Sequence, residues 1–119
     1  MANILIVDDS RTSRKMLRNI LEESGHVIVG EAVNGQEAVK QFQALKPDLV
    51  TLDITMPVLD GIEALKMIRA FNSDVKIIMV TAAGQKNKMI ECIKLGADEF
   101  LTKPFEKNEI ISVVSKLFA

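Results

Sequence analysis

Ile4-Leu5-Ile6-Val7-Asp8-Asp9 and Leu49-Val50-Thr51-Leu52-Asp53 are two short apolar runs, and each ends on carboxylates. An unbroken apolar run of this length, with no polar alternation, reads as a strand covered on both faces, which is the habit of a parallel sheet. A carboxylate that follows such a strand lies at its carboxyl end. In an open α/β sheet that end is the floor of the ligand crevice. Acids gathered there repel one another by roughly 4 kcal/mol per close pair at an effective dielectric near 20. A cation is expected to offset that cost.

Working outward, further strand-length runs appear at Val27–Val29, Val75–Val80 and Phe100–Thr102. The segments between them carry helical spacing. Met16, Leu17, Ile20 and Leu21 outline a first helix closed by Gly25; Ala38, Val39, Phe42 and Leu45 outline a second, broken by Lys46-Pro47-Asp48. Ile62, Leu65, Ile68 and Arg69 mark a third, and Met89, Ile90, Ile93 and Gly96 a fourth. A fifth begins near Glu106, with Asn108 as candidate cap and Ile110, Ile111, Val114, Leu117 and Phe118 expected inward. This βα alternation is too short for a closed eightfold barrel, which needs about 250 residues. Right-handed crossovers leave an open, doubly wound sheet of five parallel strands with five helices on its two faces. Fold logic then favours the flavodoxin-like strand order 2-1-3-4-5.

Composition narrows the function classes. The 119 residues are 48% apolar and 26% charged with a formal net charge of -1, which describes one globular domain with no general attraction to nucleic acid. No apolar run is long enough to insert in a membrane, and no signal-peptide pattern is present. Cys92 is the only cysteine. That excludes a disulfide framework and fits a cytoplasmic protein. There is no linker, repeat or low-complexity stretch, and the last helix is expected to leave no room for an appended output domain. A monomer is expected.

Parallel strands all point their carboxyl ends at one rim, so Asp8 and Asp9, Asp53, Thr81 and Lys103 should converge there. Asp9 and Asp53 offer hard anionic oxygens too few for a full cage, which suits Mg²⁺ with its retained waters and phosphate oxygens. Asp8 could hold a metal-bound water. A carboxylate can also act as a nucleophile toward a phosphoryl group, giving an aspartyl phosphate on Asp53. The metal, the Lys103 ammonium and the Thr81 hydroxyl would neutralise and position that group. A cis bond between Lys103 and Pro104 could aim the lysine over the rim.

The segments ILIVDDS (4–10), DLVTLDITMPVLDG (48–61), VTA (80–82), LGADEF (95–100) and TKPF (102–105) resemble the receiver domain of two-component response regulators across essentially the whole chain, residues 1–119. Ala83-Gly84-Gln85 and the DITMP stretch bring the likeness nearest to stand-alone chemotaxis regulators of the CheY type. The resemblance implies Asp53 as phosphoacceptor, Asp8 and Asp9 as the acidic pair of a Mg²⁺ site, and the backbone carbonyl of Thr55 as a further metal ligand. It implies that Thr81 and Lys103 contact the phosphoryl oxygens and that Phe100 is the aromatic switch. The output surface would include Met89, Ile93, Phe100, Thr102 and Phe105. The implied partners are a histidine kinase as phosphodonor, the flagellar motor switch protein as output, and a phosphatase that aids the reset. Such a protein is not an enzyme beyond accepting one phosphoryl group and slowly hydrolysing it. Phe100 replaces a Tyr, and Thr55 an Asn, found in some relatives.

Other readings are weighed against this one. A stand-alone receiver in a different phosphorelay would look the same at the site. A haloacid-dehalogenase-like phosphohydrolase also uses a strand-end Asp with Thr, Lys and Mg²⁺, but it wants a second acid where Thr55 stands. A flavodoxin-like FMN carrier would need a phosphate-binding first loop, and Asp8-Asp9-Ser10-Arg11 is acidic. Single residues also have plain readings. Thr81 alone is a helix-cap hydroxyl, and Lys103 alone is a surface charge. Phe100 and the methionines are core, with Met89 set apart on a binding face. Asp60-Gly61 is a turn. His26 is a surface residue. Arg11, Arg14, Lys15 and Arg18 form a solvated stripe, or else a docking face for an acidic phosphodonor.

Overall fold

The computed structural model describes residues 1–119. Its elements alternate along the chain: β1 (Asn3–Val7), α1 (Arg11–Glu23), β2 (Val27–Ala32), α2 (Gly35–Leu45), β3 (Leu49–Asp53), α3 (Gly61–Phe71), β4 (Lys76–Thr81), α4 (Lys86–Lys94), β5 (Glu99–Thr102) and α5 (Lys107–Leu117). The five strands are parallel in the order β2-β1-β3-β4-β5, as the fold logic requires. Alternate residues of each strand feed opposite faces. Leu5, Val7, Val50, Leu52, Ile77 and Met79 pack with Ala38, Val39 and Phe42 of α2, Ile62, Leu65 and Ile68 of α3, and Cys92 of α4. Ile4, Ile6, Leu49 and Ile78 pack on the other face with Leu17 and Leu21 of α1 and Ile110 and Val114 of α5. Both faces of the central strands are therefore dry, which explains their continuous apolar sequence.

The ends of the elements show local causes. Ser10, Asn34 and Asp60 each accept a hydrogen bond from the backbone N–H three residues on, and so start α1, α2 and α3. Lys46 closes α2 in the left-handed region. Gly61 opens α3 against the backbone of Asp53: a Cβ there would lie 2.0 Å from the Asp53 carbonyl oxygen. The Asp60-Gly61 turn thus seats a helix directly on the strand end that carries Asp53.

Several expectations need correction. β2 runs past the expected Val29 to Ala32, and Gly30 lets α2 close over the strand; a Cβ would meet Gln41 Oε1 at 2.6 Å. β4 begins at Lys76, since Val75 is buried outside the ladder. Asn108 lies inside α5, whose cap position is Glu106 with no side-chain hydrogen bond. Of the residues expected inward there, Phe118 is exposed and Ile111 and Leu117 are half-buried. Only Met56 and Met79 of the six methionines are buried, so the rest are not core filler. His26 is half-buried, and its Nδ1 accepts the Ala2 N–H at 3.0 Å. Burial, and then the nearby N-terminal charge, lower its pKa and keep that acceptor free.

One buried hydroxyl is left over. Thr51 pairs in register with Ile6 and Ile78, and its hydroxyl finds no hydrogen-bond partner. An orphaned buried hydroxyl costs stability that an apolar isostere would recover. Thr51→Val is expected to raise stability by about 1 kcal/mol. In urea unfolding this should appear as a higher midpoint at unchanged slope; an unchanged or lower midpoint would mean the hydroxyl is satisfied in solution.

Candidate functional site

The parallel ladder brings the ends of β1, β3 and β4 to one rim, and the segment after β5 joins them. Asp8 and Asp53 are buried there and Asp9 is exposed. One carboxylate oxygen from each lies within 4.8 Å of the other two. Lys103 Nζ reaches in to 3.0 Å from Asp8 Oδ2 and 3.5 Å from Asp53 Oδ2. The bond between Lys103 and Pro104 is cis. One cation of the rim is therefore part of the chain itself. Its contact with Asp8 is an ion pair without a directed hydrogen bond, and Asp8 Oδ1 accepts the Ser10 N–H at 2.8 Å.

The electrostatics follow from burial and crowding. Burial, reinforced by the charge of Asp8, pushes the Asp53 carboxyl up to about 6, against the opposing pull of Lys103. Burial alone would lower the Lys103 pKa. The Asp8 and Asp53 carboxylates outweigh it and hold the ammonium above its ordinary value. One ammonium leaves three acids undercompensated. Three converging hard-oxygen ligands of this kind fit a small divalent cation such as Mg²⁺ better than a soft metal.

Thr81 is fully buried at the end of β4. Its hydroxyl lies 2.9 Å from Gln85 Oε1 and 3.0 Å from the Ala82 carbonyl oxygen. Gln85 was noted in the sequence only as part of a likeness, yet its amide also donates to Thr55 Oγ1 at 2.8 Å. No periodicity could have revealed it, because Gln85 lies in a loop just ahead of α4.

Arg14 is the second residue that sequence reasoning undervalued. Its Nη1 donates to the Asp8 carbonyl oxygen at 2.8 Å, and its Nε pairs with Glu31 of β2 at 3.0 Å. Arg18 also pairs with Glu31. The basic stripe of α1 is thus half committed to the fold, and Arg11 and Lys15 remain exposed. Among the residues of the expected output surface, Ile93 and Thr102 are exposed, and Met89, Phe100 and Phe105 are half-buried. Met89 and Phe100 rest on one core and Phe105 on the other. Ile90 is exposed beside Ile93 and belongs to the same face of α4 by position.

Residues 4–115 match the response regulator receiver domain. The chain belongs to that family. Among similar proteins, the chemotaxis protein CheY of Thermotoga maritima is 45% identical over 96% of this chain and 95% of its own. Protein CcdB of Bacillus subtilis is also 45% identical, over 98% of each chain. Among solved structures, the complex of CheX, CheY, BeF₃ and Mg²⁺ from Borrelia burgdorferi contains a chain 37% identical to this one. It superimposes with a TM-score of 0.94 over 98% of this chain and 89% of that one. The receiver is therefore CheY-like in sequence and fold. Receivers carry an acidic Mg²⁺ pocket, and here the acidic group is Asp8, Asp9 and Asp53. No helix is long and apolar enough to cross a membrane.

Because the native Asp53 pKa lies above its unfolded value near 4, the folded state binds the extra proton between about pH 4 and pH 6. Stability owed to this group is therefore present at low pH and lost as pH rises through that window. Relative to Asp53→Asn, the metal-free wild type is expected to lose about 1–2 kcal/mol between pH 4 and 7, after discounting for the solvent that reaches the rim. Chemical denaturation in a chelator at both pH values checks this, and a pH-independent difference would refute it. Millimolar Mg²⁺ should restore stability to the wild type at pH 7 by mass action, and less so to the variant.

Proposed function

We propose that this receiver is a phosphorylation-driven switch with Asp53 as the phosphoacceptor. The observation that carries the reading is the convergence of three carboxylates, one ammonium and one hydroxyl on a single rim, with Lys103 Nζ within 3.5 Å of both buried acids. An Asp53 oxygen attacks the phosphorus of a phosphohistidine on a histidine kinase. The N–P bond breaks and the imidazole leaves. Mg²⁺ held by Asp8, Asp9, Asp53 and the Thr55 carbonyl would supply charge neutralisation for the phosphoryl oxygens. Lys103 neutralises a further share, and Thr81 swings its hydroxyl toward the new group. The acceptor then carries about -1.5 to -2 charges where it had one. Phe100 packs into the space that Thr81 leaves, and the face built from Met89, Ile93, Phe100, Thr102 and Phe105 changes shape. Water later hydrolyses the acyl phosphate, slowly by itself or faster with a phosphatase.

The partner of that face is most directly the flagellar motor switch protein, in line with the likeness to chemotaxis CheY proteins. The Borrelia CheY was solved with BeF₃ and Mg²⁺ and with a second protein, CheX, which supports both the phosphoryl reading and the docking of a protein partner. A second reading has its own support. CcdB of Bacillus subtilis is as similar as the CheY proteins and carries no chemotaxis name, so a stand-alone receiver serving another phosphorelay is the alternative. Residues 1–119 act as one receiver domain in either case, in the cytoplasm and as a monomer.

Incubation with Mg²⁺ and acetyl phosphate followed by intact-mass measurement is expected to add one phosphoryl group to the wild type and none to Asp53→Asn. An unmodified wild type, or an equally modified variant, would refute the assignment. The output is tested separately. An N-terminal peptide of the flagellar motor switch protein should be retained by the receiver at least severalfold better with beryllofluoride and Mg²⁺ than without. Retention that ignores beryllofluoride would favour the other phosphorelay.

A further inference from the structure

The hydroxyl of Thr81 has one proton, and its use depends on Gln85. Gln85 Oε1 lies 2.9 Å from Thr81 Oγ1 and accepts the Ala82 N–H at 3.0 Å, while its Nε2 donates to Thr55 Oγ1 at 2.8 Å. The amide orientation is fixed by this pattern. The Ala82 N–H can only donate, so the group facing it must be the carbonyl oxygen, and the NH₂ must then face Thr55. A single side chain therefore ties together the loop after β3, the end of β4 and the residue just before α4. That residue spends none of its polar atoms capping α4.

We propose that Gln85 is a latch that holds the receiver in its resting arrangement, keeping the Thr81 hydroxyl from a phosphoryl group on Asp53. This rests on the phosphoswitch reading above. While the Thr81 proton is given to Gln85 Oε1 or to the Ala82 carbonyl, it cannot also serve a phosphoryl oxygen. Swinging the hydroxyl inward breaks the contact with Oε1 and leaves the amide held by Ala82 and Thr55 alone. Resting and phosphorylated arrangements thus compete for one hydrogen bond. The phosphoryl group shifts the population only by the difference in its interactions with the two arrangements. The latch also gives Thr55 a function apart from its backbone carbonyl: its hydroxyl anchors the far end of the amide. Gln85 touches neither the acceptor carboxylate nor the metal ligand atoms, so it acts as a positioning residue.

The test is the affinity of the intact protein for beryllofluoride in the presence of Mg²⁺, measured by calorimetry. Gln85→Ala is expected to bind about fivefold tighter than the wild type, the scale of one lost hydrogen bond in the resting state. Thr55→Val, which removes the anchor and keeps the backbone carbonyl, should bind tighter by less. The double variant should bind no tighter than Gln85→Ala alone, because both act through one contact. In a Thr81→Ala background the effect of Gln85→Ala should vanish, which general loosening of the loop would not produce. Unchanged or weaker binding by Gln85→Ala, or a gain that persists without the Thr81 hydroxyl, would overturn the latch. Beryllofluoride binding by the wild type with no gain in the variant would sink the latch and leave the phosphoswitch standing. Failure of the wild type to bind would remove both.

Discussion

One ammonium among three carboxylates is the interaction on which the rim depends. Lys103 lies between Asp8 and Asp53, yet one positive charge cannot balance three negative ones, and burial magnifies the imbalance. Removing the lysine would leave two buried acids unpaired, a costly arrangement. Removing an acid would relax the rim and leave less to attract a metal. The site is therefore built to be incomplete. Its charge is brought to balance by what binds, and the fold must be rigid enough elsewhere to hold it open.

That rigidity comes from the sheet. The central strands are covered on both faces, and the Gly61 N–H ties the start of α3 to the Ile54 carbonyl, with its Cα close against the Asp53 carbonyl. The Asp8 loop is held from outside by Arg14, itself braced by Glu31 at the edge of the sheet. On the opposite flank Arg69 of α3 pairs with Asp98 at 2.9 Å, and the same carboxylate accepts the Ile77 N–H at 2.8 Å. These ties fix the frame that holds Thr81 beside the rim.

The fold was legible because its main determinant is local. Unbroken apolar runs such as Ile4–Val7 state their two-sided burial directly, and strand-end position alone brought Asp8, Asp53, Thr81 and Lys103 together. What escaped depends on contacts across the chain. Nothing near Gly30 shows that α2 will cross it, and nothing near Arg14 shows that Glu31 will reach it. Helical spacing placed α4 correctly. It could not tell that Cys92 would be that helix's only buried residue, with Ile90 and Ile93 left in solvent. Gln85 was hidden in part for the same reason, since one of its partners, Thr55, lies on the loop after β3, far from it in sequence.

The sparse seating of α4 has a consequence for how such a protein can change its associations. A helix seated by one buried side chain, Cys92, and one half-buried one, Met89, adds little to the stability of the whole, so substitutions on its outer face are nearly free of folding cost. Cys92, whose thiol burial pushes up to about 11 ahead of the charges of Glu91 and Asp60, stays a chemically quiet peg in the core. The outer face of α4 can therefore drift by surface replacement while the acidic rim, seated at the ends of β1 and β3, stays as it is.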